Sequence, residues 1–296
     1  MDPKQAIDGI NEVFGSHPGH RALHAKGAFY AGTFTATPEA ATLCRAGHLQ
    51  GDPVPVRVRW SNGGGNPGVP DKAPDVRGMA VSFRLPDGTA TDLLGQTAPR
   101  FPVRTPEAFL AMARAVQKPY LMPGFLVRNP GAFPALLATI RSRATVPPYS
   151  YAEVSYYPVH AYRWIAADES STWVRYRFVP QGGAADRPDG DFSGPNRLHD
   201  EIAARLAAGP VGYTLQVQQA GPDDDPHDPM SVWASDWFDA GTVQVTGPDP
   251  ERETGGEVIV FDPTRVVDGI GLSDDPILRF RPAAYSESVS RRARGS

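Results

Sequence analysis

The sequence predicts an α+β fold: an eight-stranded antiparallel β-barrel with surrounding helices, in a single domain. Three observations carry this. Short runs of β-branched and aromatic residues recur between turn residues through both halves of the 296-residue chain. Between them lie alanine-rich stretches that open on Thr-Pro and an acid, the pattern of a capped helix start. No internal repeat divides the chain, and its length is enough to bury a full core.

From the amino terminus, residues 4–14 read as a short amphipathic helix. Strands are expected at 29–35, 54–61, 78–84 and 91–94, the last after a Pro86-Asp87-Gly88 turn. Residues 38–48 and 105–117 read as helices, each with threonine as N-cap, proline at the first helical position and glutamate in the first turn. A further helix, 132–143, follows Pro130-Gly131. In the second half, 159–166 and 172–179 flank an Asp168-Glu169-Ser170 turn and form a hairpin. Residues 196–208 form a helix ended by Gly209-Pro210, and strands at 211–219, 242–246 and 258–261 complete the barrel. The loops 180–195 and 221–229, rich in Pro, Gly and Asp, belong on the surface.

Composition removes several function classes. A net charge of −4 and a pI of about 6.0 leave no broad basic field for nucleic acid. Residues 1–15 are polar and charged rather than a leader, and no apolar run approaches the roughly 20 residues of a membrane span. The lone Cys44 cannot make an intrachain disulfide, so a reducing compartment and a soluble, cytoplasmic protein without membrane partner are expected. Gly63-Gly64-Gly65 lacks the lysine of a phosphate loop and reads as a turn. Asp223, Asp224, Asp225, His227 and Asp228 read as a solvated acidic loop rather than a cation site.

Two stretches near the ends carry the chemistry. Arg21-Ala22-Leu23-His24-Ala25-Lys26-Gly27 sets an imidazole three residues after a guanidinium. Arg281-Pro282-Ala283-Ala284-Tyr285 sets a phenol four residues after one, with Arg291 and Arg292 following. On a helix with Pro282 as its first residue, Arg281, Tyr285 and Arg292 stand at i, i+4 and i+11; at ~100° per residue they share one stripe. A guanidinium one turn from a phenol favours the ionised oxygen. An anionic oxygen ligand with cations for two propionates is the donor set a ferric haem takes. Along residues 56–61, strand alternation places Arg57, Arg59 and Ser61 on one face and Val56, Val58 and Trp60 on the other. Taken alone, that polar set reads as a solvated face.

The segments RALHAKGAFYAGTF, VRVRWSNGGG followed by DVRGMAVSF, TDLLGQTAPRFPVRTPEAF, and FDPTRVVDGI followed by SDDPILRFRPAAY stand in an order and spacing that resembles the haem-dependent catalase family, from about His17 to Arg292. The resemblance implies that family's eight-stranded barrel, with haem b held between barrel and helices. It implies Tyr285 as the iron ligand with Arg281 beside it; this ligation is the family's known one and not something the spacing establishes. It further implies Arg21, Arg59 and Arg292 as propionate partners, with Leu23 and Phe109 as apolar walls. His24 would be the acid/base on the peroxide side, since an imidazole with an ordinary pKa near ~6.5 can take a proton and return it. Ser61 would orient it.

The chain is similar to a trimmed family core, one haem domain over 1–296 with a barrel at about 26–262 and the ligand helix at about 282–293, lacking a long amino-terminal arm and a flavodoxin-like domain. A homo-oligomer is implied, and with no arms to weave a tetramer, a dimer is expected. The pattern departs where Gln96 replaces the asparagine that positions hydrogen peroxide in true catalases, and where Phe101-Pro102 replaces paired phenylalanines. An amide displaced by one bond implies weak dismutation and a preference for peroxidation, with hydrogen peroxide or an organic hydroperoxide and an organic reductant as substrates. Two other outcomes stay open: a lipid-hydroperoxide-converting enzyme resembling allene oxide synthases, and a haem-binding protein without turnover.

Overall fold

The computed structural model describes residues 1–249 and 258–294. Nine strands form one antiparallel sheet: β1 (Gly27–Ala36), β2 (Val54–Asn62), β3 (Arg77–Arg84), β4 (Ala90–Gln96), β5 (Tyr162–Ile165), β6 (Ser171–Pro180), β7 (Val211–Gln219), β8 (Trp237–Pro248) and β9 (Ile270–Leu272). Seven α-helices accompany it: α1 (Pro3–Phe14), α2 (Pro38–Leu43), α3 (Pro106–Gln117), α4 (Met122–Arg128), α5 (Ala132–Arg141), α6 (Arg197–Ala208) and α7 (Pro276–Arg294). The Thr-Pro starts behave as their chemistry dictates: Thr37 Oγ1 accepts from Ala40 N–H, and Thr105 Oγ1 from Ala108 N–H.

The strand order is β4-β3-β2-β1-β8-β7-β6-β5-β9. This corrects the expected closed barrel of eight: among the described residues there are nine strands, and the ladder is open between β4 and β9. The segment 258–261 makes no strand, whereas Ile270–Leu272, not anticipated, adds to the edge of β5. Segment 262–265 runs between the two edges. Asp92 N–H donates to Arg265 O (3.2 Å), Asp262 N–H to Asp92 Oδ2 (2.8 Å), and Tyr162 Oη–H to Pro263 O (2.8 Å). Side chains and single backbone bonds therefore do the edge-sealing work of a ladder. Helix α4 was also missed, because its proline and glycine look like turn residues although proline is tolerated in a first helical turn.

Inside the curled sheet, alternation puts Trp60, Trp164, Phe34, Phe83, Phe178 and Tyr213 in one core, each essentially without solvent contact. The opposite side of β2 is not a solvated face. Arg57, Arg59 and Ser61 are 9%, 6% and 3% exposed, and Arg57 is ion-paired with Asp249. Helices cover this side: α7 packs on α1, and α1 on α3.

Helix α7 begins six residues earlier than its expected start. Asp275 Oδ1 accepts from the N–H groups of Ile277 (2.8 Å) and Leu278 (3.3 Å), and Asp275 O accepts from Arg279 N–H (3.0 Å). Asp275 is thus the N-cap and Pro276 the first helical residue, the ordinary place for proline. Pro282 lies inside the helix rather than at its start, which removes one backbone donor there.

His48 is 3% exposed between Phe34 and Phe83, and burial pushes its imidazole down to about 3. It is neutral in the folded chain but titrates near ~6.5 once unfolded. Below that pH the unfolded state binds the extra proton, so stability falls as pH drops from ~6.5 toward 3. We expect the unfolding free energy to fall between pH 6.5 and 5 by up to about 1.4 kcal/mol per pH unit for each such histidine. In denaturant titrations His48→Leu should show a shallower slope; an unchanged slope would refute this assignment.

Candidate active site

A cavity of about 270 Å³ lies between the outer side of β2–β4 and helices α1, α3 and α7. All ten residues singled out in the sequence line it: Arg21, Leu23, His24, Arg59, Ser61, Gln96, Phe109, Arg281, Tyr285 and Arg292.

Sheet register builds one wall. Ser61 lies opposite Gly78, and Gly78 opposite Gln96, so the three form a row across β2, β3 and β4. The middle position has no side chain, and the His24 ring fills that gap. A methyl group on Gly78 would fall 2.6 Å from both Cε1 and Nδ1 of His24 and 2.8 Å from Ser61 Oγ. His24 Nδ1 meets Ser61 Oγ at 3.0 Å.

Its backbone is held as firmly. His24 has φ 53°, a left-handed conformation that a non-glycine residue adopts only when its surroundings impose it. His24 N–H donates to Gly63 O (3.0 Å), Ala25 N–H to Gly64 O (3.1 Å), and Arg59 Nη2 to His24 O (2.9 Å). Gly63-Gly64-Gly65 is thus the cradle of the histidine segment and not only a turn; a side chain on Gly65 would sit 2.2 Å from Ala22 O. Burial first, then the guanidiniums of Arg59, Arg281 and Arg21, hold the imidazole far below its ordinary value, at about 3. His24 is therefore neutral and able to accept a proton.

Helix α7 supplies the facing chemistry. Arg281, Tyr285, Ser288 and Arg292 recur at i, i+4, i+7 and i+11, and all four line the cavity. Arg281 Nε donates to Tyr285 Oη at 2.8 Å. Behind it stand two residues that the sequence reading missed. Arg281 Nη1 lies 2.8 Å from His160 Nε2, and His160 Nδ1 lies 2.5 Å from Asp275 Oδ2. Both are 1% exposed or less. Burial keeps the His160 pKa below its ordinary value against the pull of Asp275, so the ring is neutral. A guanidinium only donates, so Nε2 must accept from Arg281 and Nδ1–H must donate to Asp275. The partners fix the tautomer. Arg291 is not part of this set: it ties α7 to α1 through Asp8 (2.8 Å) and to Glu287 (2.7 Å).

Cations gather at one edge. The guanidinium carbons of Arg21 and Arg59 lie 5.7 and 5.5 Å from the Phe29 ring centre, and Phe29 stacks on Phe261 at 6.2 Å. Arg21 Nη2 donates to Ile259 O (2.7 Å). Phe101 and Phe109 stack at 5.8 Å to form an apolar wall, with Leu23 also lining the space. A phenol oxygen held by a guanidinium, three further arginines and flat apolar walls fit an iron porphyrin with its two carboxylates. The acidic loop 221–229 joins none of this: Asp228 pairs with Arg104 (2.5 Å), and among the described residues no His, Cys, Asp and Glu group is arranged to hold a bare metal ion.

Gly78→Ala should push the His24 ring from its gap. We expect the contact of the ring with Ser61 to be lost in a crystal structure of the variant. An unmoved His24 ring in that structure would refute the role of the gap.

Comparison with known proteins agrees with this geometry. The family model described as Catalase matches residues 6–193. A catalase-related peroxidase of Mycolicibacterium paratuberculosis is 49% identical over 99% of this chain and 95% of its own length. One of Synechococcus elongatus is 33% identical over 100% of this chain and 90% of its own. In fold, a fungal catalase superposes with a TM-score of 0.78 at 21% identity over 97% of this chain, and catalase A of Saccharomyces cerevisiae with 0.78 at 19% over 98%. The chain spans only 61% and 64% of those two longer proteins. The chain belongs to the catalase family, among its short catalase-related peroxidases.

Proposed function

We propose that this peroxidase holds haem b in the cavity, with Tyr285 Oη as the iron ligand, and uses hydrogen peroxide or an organic hydroperoxide to oxidise organic donors while dismutating hydrogen peroxide weakly. Membership of the catalase family implies haem. The observation that carries the ligand assignment is the chain Asp275–His160–Arg281–Tyr285, which delivers a phenol oxygen into the cavity that His24 and Ser61 also line.

When bound, the haem iron supplies the redox chemistry of O–O cleavage. The residues do the rest. Arg21, Arg59 and Arg292 would pair with the propionates, and Leu23 and Phe109 would wall the ring and exclude water. Arg281, held by His160, donates to the Tyr285 oxygen and so holds it in place. His24, neutral and turned by Ser61, accepts a peroxide proton at Nε2 and returns it to the departing oxygen. Gln96 would offer its amide to the peroxide from the end of the Ser61–Gly78 row. Its arm is one bond longer than asparagine's, which favours peroxidation of a donor over dismutation. The reading covers residues 1–296 as one haem domain with small-molecule partners only in its cavity.

Two measurements test this. Tyr285→Phe should lose haem or shift the Soret band; unchanged haem content and spectrum would remove the ligand assignment. In the haem-loaded enzyme, donor-dye oxidation should outpace oxygen evolution, and kcat/KM for peroxide should show no acid limb between pH 7 and 5. The sign follows from His24, whose proton-accepting form is lost only as pH falls toward about 3. Fast oxygen evolution without dye oxidation, or a limb near the ordinary histidine value, would count against it.

A further inference from the structure

Residues 108–152 contain Arg114, Lys118, Arg128, Arg141 and Arg143 and no acid, in a chain with 33 acids against 29 bases. This acid-free stretch is the body of α3, the turn Pro119–Leu121, α4 and α5. Their inner sides share one apolar cluster that includes Ala115, Phe125, Ala132 and Leu136. Away from that cluster, large apolar side chains stand in solvent: Val127 is 83% exposed, Tyr120 75%, Ile140 71% and Phe133 58%. Among the described residues, seven of the ten exposed large apolar side chains fall within this one stretch. Phe133 and Ile140 share a stripe of α5, at i and i+7. Scattered apolar residues on a surface need no explanation, but a concentrated set does.

The charge says what covers it. Lys118, Arg128, Arg141 and Arg143 are exposed, and among the described residues no carboxylate lies within ion-pair distance of any of them; Arg114 is paired with Glu12 (2.6 Å). A second copy seated through the same face would bring these cations against their own kind, as a two-fold contact requires. Protruding apolar side chains in the same acid-free stretch as unpaired lysine and arginine match a surface that is anionic outside and apolar beneath. We propose that the α3–α5 face docks on a phospholipid bilayer carrying acidic headgroups, with Tyr120, Val127, Phe133 and Ile140 entering the acyl boundary and Lys118, Arg128, Arg141 and Arg143 at the phosphates. This departs from the expectation of no membrane partner. The contact is peripheral, since no described helix is long and apolar enough to cross a membrane. It does not rest on the haem chemistry.

The test is flotation of the full-length, haem-loaded chain with vesicles of phosphatidylcholine alone and of phosphatidylcholine with phosphatidylglycerol in equal parts. Binding should be at least about tenfold stronger on the anionic vesicles and fall with added salt, each cation being worth about fivefold. Two variants separate the terms: Lys118→Gln/Arg141→Gln/Arg143→Gln and Val127→Ser/Ile140→Ser. Both change exposed positions, so both should melt like wild type, and both should lose most vesicle binding. Absent binding, equal binding to the two vesicle types, or variants that bind like wild type would overturn the proposal. So would light scattering that shows a two-chain mass falling to one chain in Val127→Ser/Ile140→Ser, which would assign the face to a second copy.

Discussion

The site depends on one buried carboxylate whose two oxygens have different tasks. Asp275 Oδ1 takes the first free N–H groups of α7, and Oδ2 takes the Nδ1–H of His160. The first contact fixes where α7 starts and hence the rotation of every residue along it. The second fixes the His160 tautomer, which makes Nε2 an acceptor for Arg281 and leaves Arg281 Nε to hold the Tyr285 oxygen. A carboxylate with no solvent contact is costly to bury unless its acceptor sites are filled. Here backbone donors and an imidazole fill them, so the element that is hardest to bury also sets the geometry.

On the sheet side the constraint is an absence of atoms. The Ser61–Gly78–Gln96 row has a gap only because its middle residue lacks a Cβ, and the His24 ring fits that gap. The left-handed backbone at His24, the carbonyls of Gly63 and Gly64, and the Arg59 bond to His24 O hold the ring there. The guanidiniums of Arg59, Arg281 and Arg21 also suppress protonation of the imidazole. In the proposed reading, the charges of Arg21 and Arg59 would also receive the cofactor's carboxylates.

These two halves come from distant parts of the chain, yet neither is loose. The β2–β4 wall is part of the nine-stranded sheet, and α7 is clamped to α1 by Arg291 and Asp8. The two edges of the sheet meet through side chains and the 262–265 segment, which also leads into β9 and α7. The closure of the sheet and the placing of the tyrosine helix are therefore one structural event.

The sequence by itself determined what depends on local periodicity. Strand alternation grouped Arg57, Arg59 and Ser61, and helical spacing grouped Arg281, Tyr285 and Arg292, because both periods are properties of the backbone. Family motifs added His24, Gln96, Leu23, Arg21 and Phe109. Tertiary structure decided the rest. His160 is 121 residues from Arg281 and 115 from Asp275, and no local pattern marks a lone buried histidine as their bridge. Gly78 matters only through the register of three strands. The sequence reading starts α7 at Pro282, since proline suits a first helical residue; the structure starts it at Pro276, where Asp275 caps the helix and also meets His160. The missing strand at 258–261 and the unexpected one at Ile270–Leu272 have the same cause: a short apolar run becomes a strand only where a neighbour's edge is open to receive it.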